Sequence, residues 1–124
     1  MIKPLALVFY EKLLPGSQVV NRLQDIGYRV QVVAEPAALI QSAQESKAMV
    51  VLADLNCTKT DICGALARLR QNQATKHLPV IGFGGDDKTD IQSAALAAGV
   101  TLVVSEAAIL HHLAQCLDQA LQIE

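Results

Sequence analysis

The chain contains no tryptophan and few other aromatic residues, two Tyr and two Phe. Its core must therefore be made of Val, Leu, Ile and Ala, the composition of helices packed on a sheet and not of an aromatic-rich binding groove. Cysteine is scarce and odd in number: Cys57, Cys63 and Cys116, with no Cys-x-x-Cys pair. That spacing writes neither a disulfide framework nor a tetrahedral zinc site, and free thiols in a reducing cytoplasm are expected. A catalytic thiol at Cys57 would need an activating base, and no histidine stands near it in sequence. Positive charge is not in excess, with ten Lys and Arg against twelve Asp and Glu. A chain so balanced has no basic face to displace counterions from phosphates, which excludes direct nucleic-acid binding. No apolar stretch is long enough to cross a bilayer, and Leu5 to Tyr10 is too short for a secretion signal before Glu11 interrupts it. What remains is one domain, residues 1–124, expected in the cytoplasm.

What the chain does have is alternation. Leu5 to Phe9 is a continuous apolar run, the pattern of a strand covered on both faces. Pro15-Gly16-Ser17 punctuates the chain, after which Val19, Val20, Leu23 and Ile26 recur at helical spacing up to Gly27. Tyr28 to Val32 alternates with period two, as a sheet-edge strand does. Glu35-Pro36 opens a helix carrying Leu39, Ile40 and Ala43, and the run from Ala48 to Ala53 is a third strand. A helix with Ile62, Ala65, Leu66 and Leu69 follows, then a strand from Leu78 to Phe83. Beyond Gly84-Gly85, Asp86 or Asp87 would cap a helix whose apolar residues are Ile91, Ala94, Ala95 and Leu96, stopped at Gly99. A fifth strand, Val100 to Val104, leads through Ser105 as N-cap into a last helix striped by Ile109, Leu110, Leu113, Cys116, Leu117, Ala120 and Leu121.

Five strands alternating with helices predict a parallel sheet covered on both faces, joined by right-handed crossovers. In such a sheet a site lies beyond the carboxyl ends of the strands, where the strand order reverses. The loops that count begin at Tyr10, Asp54, Gly84 and Ser105. Asp54 stands where a buried strand opens onto its loop, the place of a reaction centre or of its relic.

Over essentially its whole length the chain resembles the receiver domain of bacterial response regulators. The resemblance rests on the five-fold alternation, Gly27-Tyr28 before the second strand, Asp54 ending the third, Leu78-Pro79-Val80-Ile81, and Ala97-Ala98-Gly99 before the fifth. It implies a flavodoxin-like (CheY-like), doubly wound, five-stranded parallel sheet of order 2-1-3-4-5 in three α/β/α layers. It also implies that Asp54 is the phosphoacceptor. The family's chemistry further uses an acidic pair after the first strand to hold magnesium, a hydroxyl residue after the fourth and a lysine after the fifth, because magnesium and the lysine neutralise the charge of the transferred group. Here the acidic pair falls on Tyr10 and Glu11, the hydroxyl on Gly84, and the lysine, counted from Gly99, on Glu106. A phosphoryl group on Asp54 would then face a negative charge where the family supplies a positive one.

Three readings follow. In the first, the chain is a degenerate or pseudo-receiver of a two-component phosphorelay: not an enzyme, keeping the fold and signalling by protein contact. In the second, Asp54 is phosphorylated by a histidine kinase. In the third, the chain is a flavodoxin-like binder of a nucleotide or other small ligand, using Gly82 to Gly85 and the loop from Glu11 to Ser17. No resident cofactor is expected; a weak magnesium site would have Glu11 and Asp54 to build on. Glu106 is expected to point to solvent, and Lys12 and Lys59 to be solvated loop residues. His111 and His112, adjacent on a helix, point in different directions and make a poor metal pair. The expected partner is a histidine kinase or an output protein, with no nucleic acid and no membrane, and association, including homodimerisation, is expected through the last helix and fifth strand.

Overall fold

The computed structural model describes residues 4–10, 13–33, 35, 38–46, 48–55, 62–73, 75–84 and 89–122, with side chains undescribed at 13–15, 46, 63, 89, 91, 121 and 122. Five strands, β1 (Leu5–Phe9), β2 (Arg29–Val33), β3 (Val50–Asp54), β4 (Val80–Phe83) and β5 (Leu102–Val104), alternate with helices α1 (Leu13–Asp25), α2 (Ala38–Ser46), α3 (Ile62–Gln71), α4 (Thr89–Ala97), α5 (Glu106–His111) and α6 (Leu113–Gln122). The strands form one parallel sheet in the order β2-β1-β3-β4-β5. The chain reverses direction across the sheet between β1 and β3, so their carboxyl ends bound the crevice where a site belongs.

Strand alternation sorts the core into two layers. Leu5, Leu7 and Phe9 of β1 join Val51, Ala53 and Val80 against Leu39 and Ala43 of α2, Ile62, Leu66 and Leu69 of α3, and Ala95 of α4. Ala6, Val8, Val50, Leu52, Ile81 and Phe83 face the other way, onto Val19 and Leu23 of α1, Ile109 of α5, and Leu113, Cys116, Leu117 and Ala120 of α6. β1 and β3 are buried throughout, as expected of central strands covered on both faces. β2 lies at the edge, where Arg29 and Gln31 are exposed as its alternating sequence requires; Val32 departs from the pattern, being 46% exposed while Val33 is buried.

Two helices stop where the sequence says they should. Gly27 and Gly99 take φ of +96° and +103°, and the bonds Tyr28 N–H to Leu23 O and Val100 N–H to Ala95 O close the turns. Both are Schellman motifs, in which a left-handed residue satisfies the last free carbonyls of a helix.

β4 and β5 each begin two residues later than the apolar runs suggest, at Val80 and Leu102, and the helices depart from expectation as well. Pro15, Gly16 and Ser17 do not precede α1 but lie inside it. Pro15 is in the first turn, where the missing N–H has no partner to lose, and Gly16 is explained below. Ile26 falls beyond the end of α1 and is 45% exposed, so it is not part of the helix's core face. Among the described side chains of α4 only Ala95 is buried in the core; Ala94 is exposed and Leu96 is 57% exposed, while the Ile91 side chain is outside the described residues. The last helix is two helices, because His112 leaves helical geometry at φ −130°, ψ 36°. The hydrogen-bond ladder crosses this bend, from His112 N–H to Ala108 O (2.8 Å) and from Cys116 N–H to His112 O (3.0 Å), so the axis kinks without parting.

Candidate functional site

The register of the ladders fixes what surrounds Asp54. Phe9 is level with Ala53, Asp54 with Phe83, and Phe83 with Val104. Tyr10, one residue beyond Phe9, therefore comes level with Asp54. Val50 and Leu52 face α1 and α6, so by alternation Asp54 turns to that face as well, where Tyr10, Phe83 and Val104 also pack. Asp54 thus belongs to a cross-strand row that reads Tyr10, Asp54, Phe83, Val104, with an aromatic ring on each side. It is 1% exposed. Its Oδ2 accepts no hydrogen bond among the described residues, although Asp54 as a whole does interact with other groups.

Tyr10 is half-buried, and its ring lies against Gly16 of α1: a Cβ added at Gly16 would overlap ring atoms Cγ, Cδ1 and Cδ2. Gly16 is the residue that lets the ring lie there. Nothing in the local sequence signals this, since Gly16 and Tyr10 come together only when α1 folds back over β1.

The next row holds Leu55, Gly84 and Ser105. Leu55 N–H donates to Phe83 O (2.8 Å), and Gly84 N–H to Val104 O (3.2 Å), extending the ladder past the strand ends. Gly84 has φ +86°, the left-handed region that disfavours side chains. A hydroxyl residue there would be strained as well as missing. Gly82, the first residue of the supposed phosphate cradle, lies within β4 with the Leu55 side chain over it, since a Cβ at Gly82 would come 2.9 Å from Leu55 Cδ1. With Gly84 N–H bonded to Val104, neither described glycine of that loop offers an anion cradle; Gly85 and residues 11–12 lie outside the described residues, and Ser17 is already helical.

Strand β5 ends at Val104, so the residue directly after it is Ser105, not Glu106. Glu106, the position that the resemblance gives to the lysine, is the second residue beyond the strand. Ser105 Oγ accepts the Ala108 N–H (3.0 Å) as the N-cap of α5. Glu106 is the first residue of α5 and half-buried, not pointing freely to solvent, and it interacts with other groups. Neither position carries a positive charge.

Magnesium asks for an octahedral shell of carboxylates, phosphate oxygens and waters. Among the described residues no group of three or more His, Cys, Asp or Glu side chains gathers to hold a metal ion. Asp54 is flanked by a phenol and a phenyl ring, so the described residues do not by themselves fit magnesium. Glu11, Cys57, Lys12, Lys59, Asp86 and Asp87 lie outside the described residues, as does the Cys63 side chain. Cys116 is a free thiol, buried in the α6 layer, where burial pushes it above the ordinary thiol range.

A groove of about 330 Å³ opens between the end of α1 and the bend after α5, lined by Arg22, Asp25, Ile26, Leu110, His111 and His112. Both histidines are exposed. The groove is made by the bend, which sequence periodicity did not foretell, and Asp54 is not among its lining residues.

Fold and row together define a receiver-type α/β sheet with a buried aspartate at the end of its third strand. No family model matches the chain, and no curated protein matches it in sequence. Solved structures do match. The receiver domain of the sensor histidine kinase PA1611 from Pseudomonas aeruginosa, which has magnesium in its active-site cleft, superimposes with a TM-score of 0.86 at 18% identity, covering 97% of this chain and 98% of its own. The chemotaxis protein CheY4 of Vibrio cholerae gives 0.83 at 18% identity, over 96% and 99%. The signal receiver domain of an HD domain-containing protein from Pseudomonas fluorescens gives 0.83 at 18%, over 98% and 89%. The chain therefore has the CheY-like receiver fold, with the 2-1-3-4-5 order that the resemblance implied. No described helix is long and apolar enough to cross a membrane.

Proposed function

We propose that the chain is a receiver-like signalling domain that acts through protein contacts, without phosphoryl chemistry at Asp54 and without enzymatic activity of its own. The observation that carries this reading is the environment of Asp54: a carboxylate 1% exposed, set between Tyr10 and Phe83, with Gly84 and Glu106 at the positions that the resemblance gives to a hydroxyl and a lysine. An acceptor must meet its donor in line and have its new charge neutralised. A phenol in place of a carboxylate and a half-buried Glu106 supply neither access nor positive charge.

The partner would be a histidine kinase or an output protein in the cytoplasm, a compartment that suits the free thiol of Cys116. Contact, including self-association, is placed on β5 and the helices that follow, because Leu102, Val103 and Val104 of this edge strand are only half-buried. Substituting His112 or Gln119, both exposed there, should weaken association seen by sedimentation; unchanged association places the surface elsewhere.

A second reading keeps Asp54 as a working phosphoacceptor. It is favoured by the carboxylate's place at the end of β3 and by the magnesium in the cleft of the P. aeruginosa neighbour. Incubation with acetyl phosphate and magnesium, read by intact mass, decides between the two. No adduct is expected. A labile phosphoryl adduct that disappears in Asp54→Asn would reverse the conclusion.

A further inference from the structure

We infer that Tyr10 is a cover for Asp54, seated on Gly16, and that the position of this one ring governs whether the carboxylate meets solvent. The inference deepens the proposed reading by naming what closes the site. It stands on three observations: Tyr10 is level with Asp54 and on the same face of the sheet; the ring occupies the space that a Gly16 Cβ would need; and Asp54 is buried although it ends its strand, at a position that opens onto a loop. On the other side Phe83 is fully buried in the core and makes a fixed wall. Tyr10 is half-buried and belongs to no strand, so it is the side of the row able to move. Gly16 lies near the start of α1, and displacement of α1 from the end of β1 would carry the seat of the ring with it. A partner that shifts α1 would in this way expose Asp54 with no chemical modification.

Carbodiimide coupling of an amine to carboxylates, mapped by peptide mass, tests the cover without any phosphodonor. In the native protein Asp54 should react at least about tenfold more slowly than exposed Asp25, Asp90 and Asp118, because it is labelled only from an opened state. Tyr10→Phe keeps the ring and should keep the protection. Gly16→Ala leaves Tyr10 in place but removes its seat, and should raise Asp54 labelling toward that of the exposed carboxylates, as should Tyr10→Ala. Asp54 reacting in the native protein as fast as Asp118, or staying protected in both Gly16→Ala and Tyr10→Ala, overturns the cover. The acetyl phosphate experiment reads the absence of phosphoryl chemistry separately, so either conclusion can fail alone.

Discussion

Arg70 donates its Nε–H to the carbonyl of Gly99 at 2.6 Å, joining the end of α3 to the turn that ends α4. The same guanidinium donates through Nη1 to Lys76 O (2.6 Å) and through Nη2 to Thr101 Oγ1 (2.8 Å). Thr101 Oγ1 in turn accepts the Val80 N–H (3.1 Å) at the start of β4. One side chain thus ties together the segments that launch β4 and β5, at the end of the sheet away from Asp54. A Cβ at Gly99 would strike the Arg70 side chain, so the glycine serves both the helix stop and this contact.

Replacing Arg70 with Ala should cost about 2–4 kcal/mol, because charge-assisted bonds to three acceptors are lost and the partly buried Gly99 carbonyl loses its guanidinium donor. Arg70→Lys, which cannot fork, should recover less than half of that. Urea midpoints measure both; a loss under about 0.5 kcal/mol for Ala would contradict the arrangement.

Gly16→Ala separates a packing role from a helix-propensity role. In an unobstructed helix the change stabilises by about 1 kcal/mol. Here it should destabilise by about 1–3 kcal/mol, since the methyl enters the Tyr10 ring. In a Tyr10→Ala background the sign should revert, and a double-mutant cycle in urea should give a coupling above about 1 kcal/mol.

Gly84→Thr supplies the hydroxyl that the receiver resemblance asks for, yet it should not restore phosphoryl acceptance. At φ +86° a β-branched residue costs about 2 kcal/mol. Thermal melts should fall accordingly, with no adduct from acetyl phosphate. An adduct in Gly84→Thr would show that the missing hydroxyl alone had silenced the site.

Stability should decline in alkali. Burial, and secondarily the charge of Asp118, raises the Tyr28 phenol above its ordinary value, and burial raises the Cys116 thiol. Both groups are neutral when protonated and take up protons more tightly in the folded state. Their contribution is therefore complete below the unfolded-state values and is lost as pH rises through the folded ones, from about pH 9 upward. Cys116→Ala and Tyr28→Phe should each flatten the alkaline limb of a stability-against-pH curve, and Asp118→Asn should remove the smaller part of the Tyr28 effect.

The fold was legible because its signals are local. Continuous apolar runs mark β1 and β3, Gly27 and Gly99 end their helices, and Ser105 caps α5, each within a few residues of the feature it creates. What escaped depends on how side chains pack once the elements are in place. Gly16 reads as a breaker until the Tyr10 ring is known to lie on it. Leu96 reads as core because α4 has apolar residues on more than one side, and only packing selects Ala95. Asp54 was placed at its strand end and Tyr10 among the positions around it, but Phe83 on the other side came from the β3–β4 register, which sequence spacing does not carry.

The bend at His112 changes what the last helical stretch can transmit. A continuous helix behaves as a lever: a push on its first turn, beside Gly84, reaches its far end undiminished. Two short helices meeting at one non-helical residue share no single axis, although the hydrogen-bond ladder carries across the bend. α5 packs on α1 and on α6, while α6 packs on β4 and β5, so the bend gives the stretch two separate seats, one on a helix of the outer layer and one on the sheet itself.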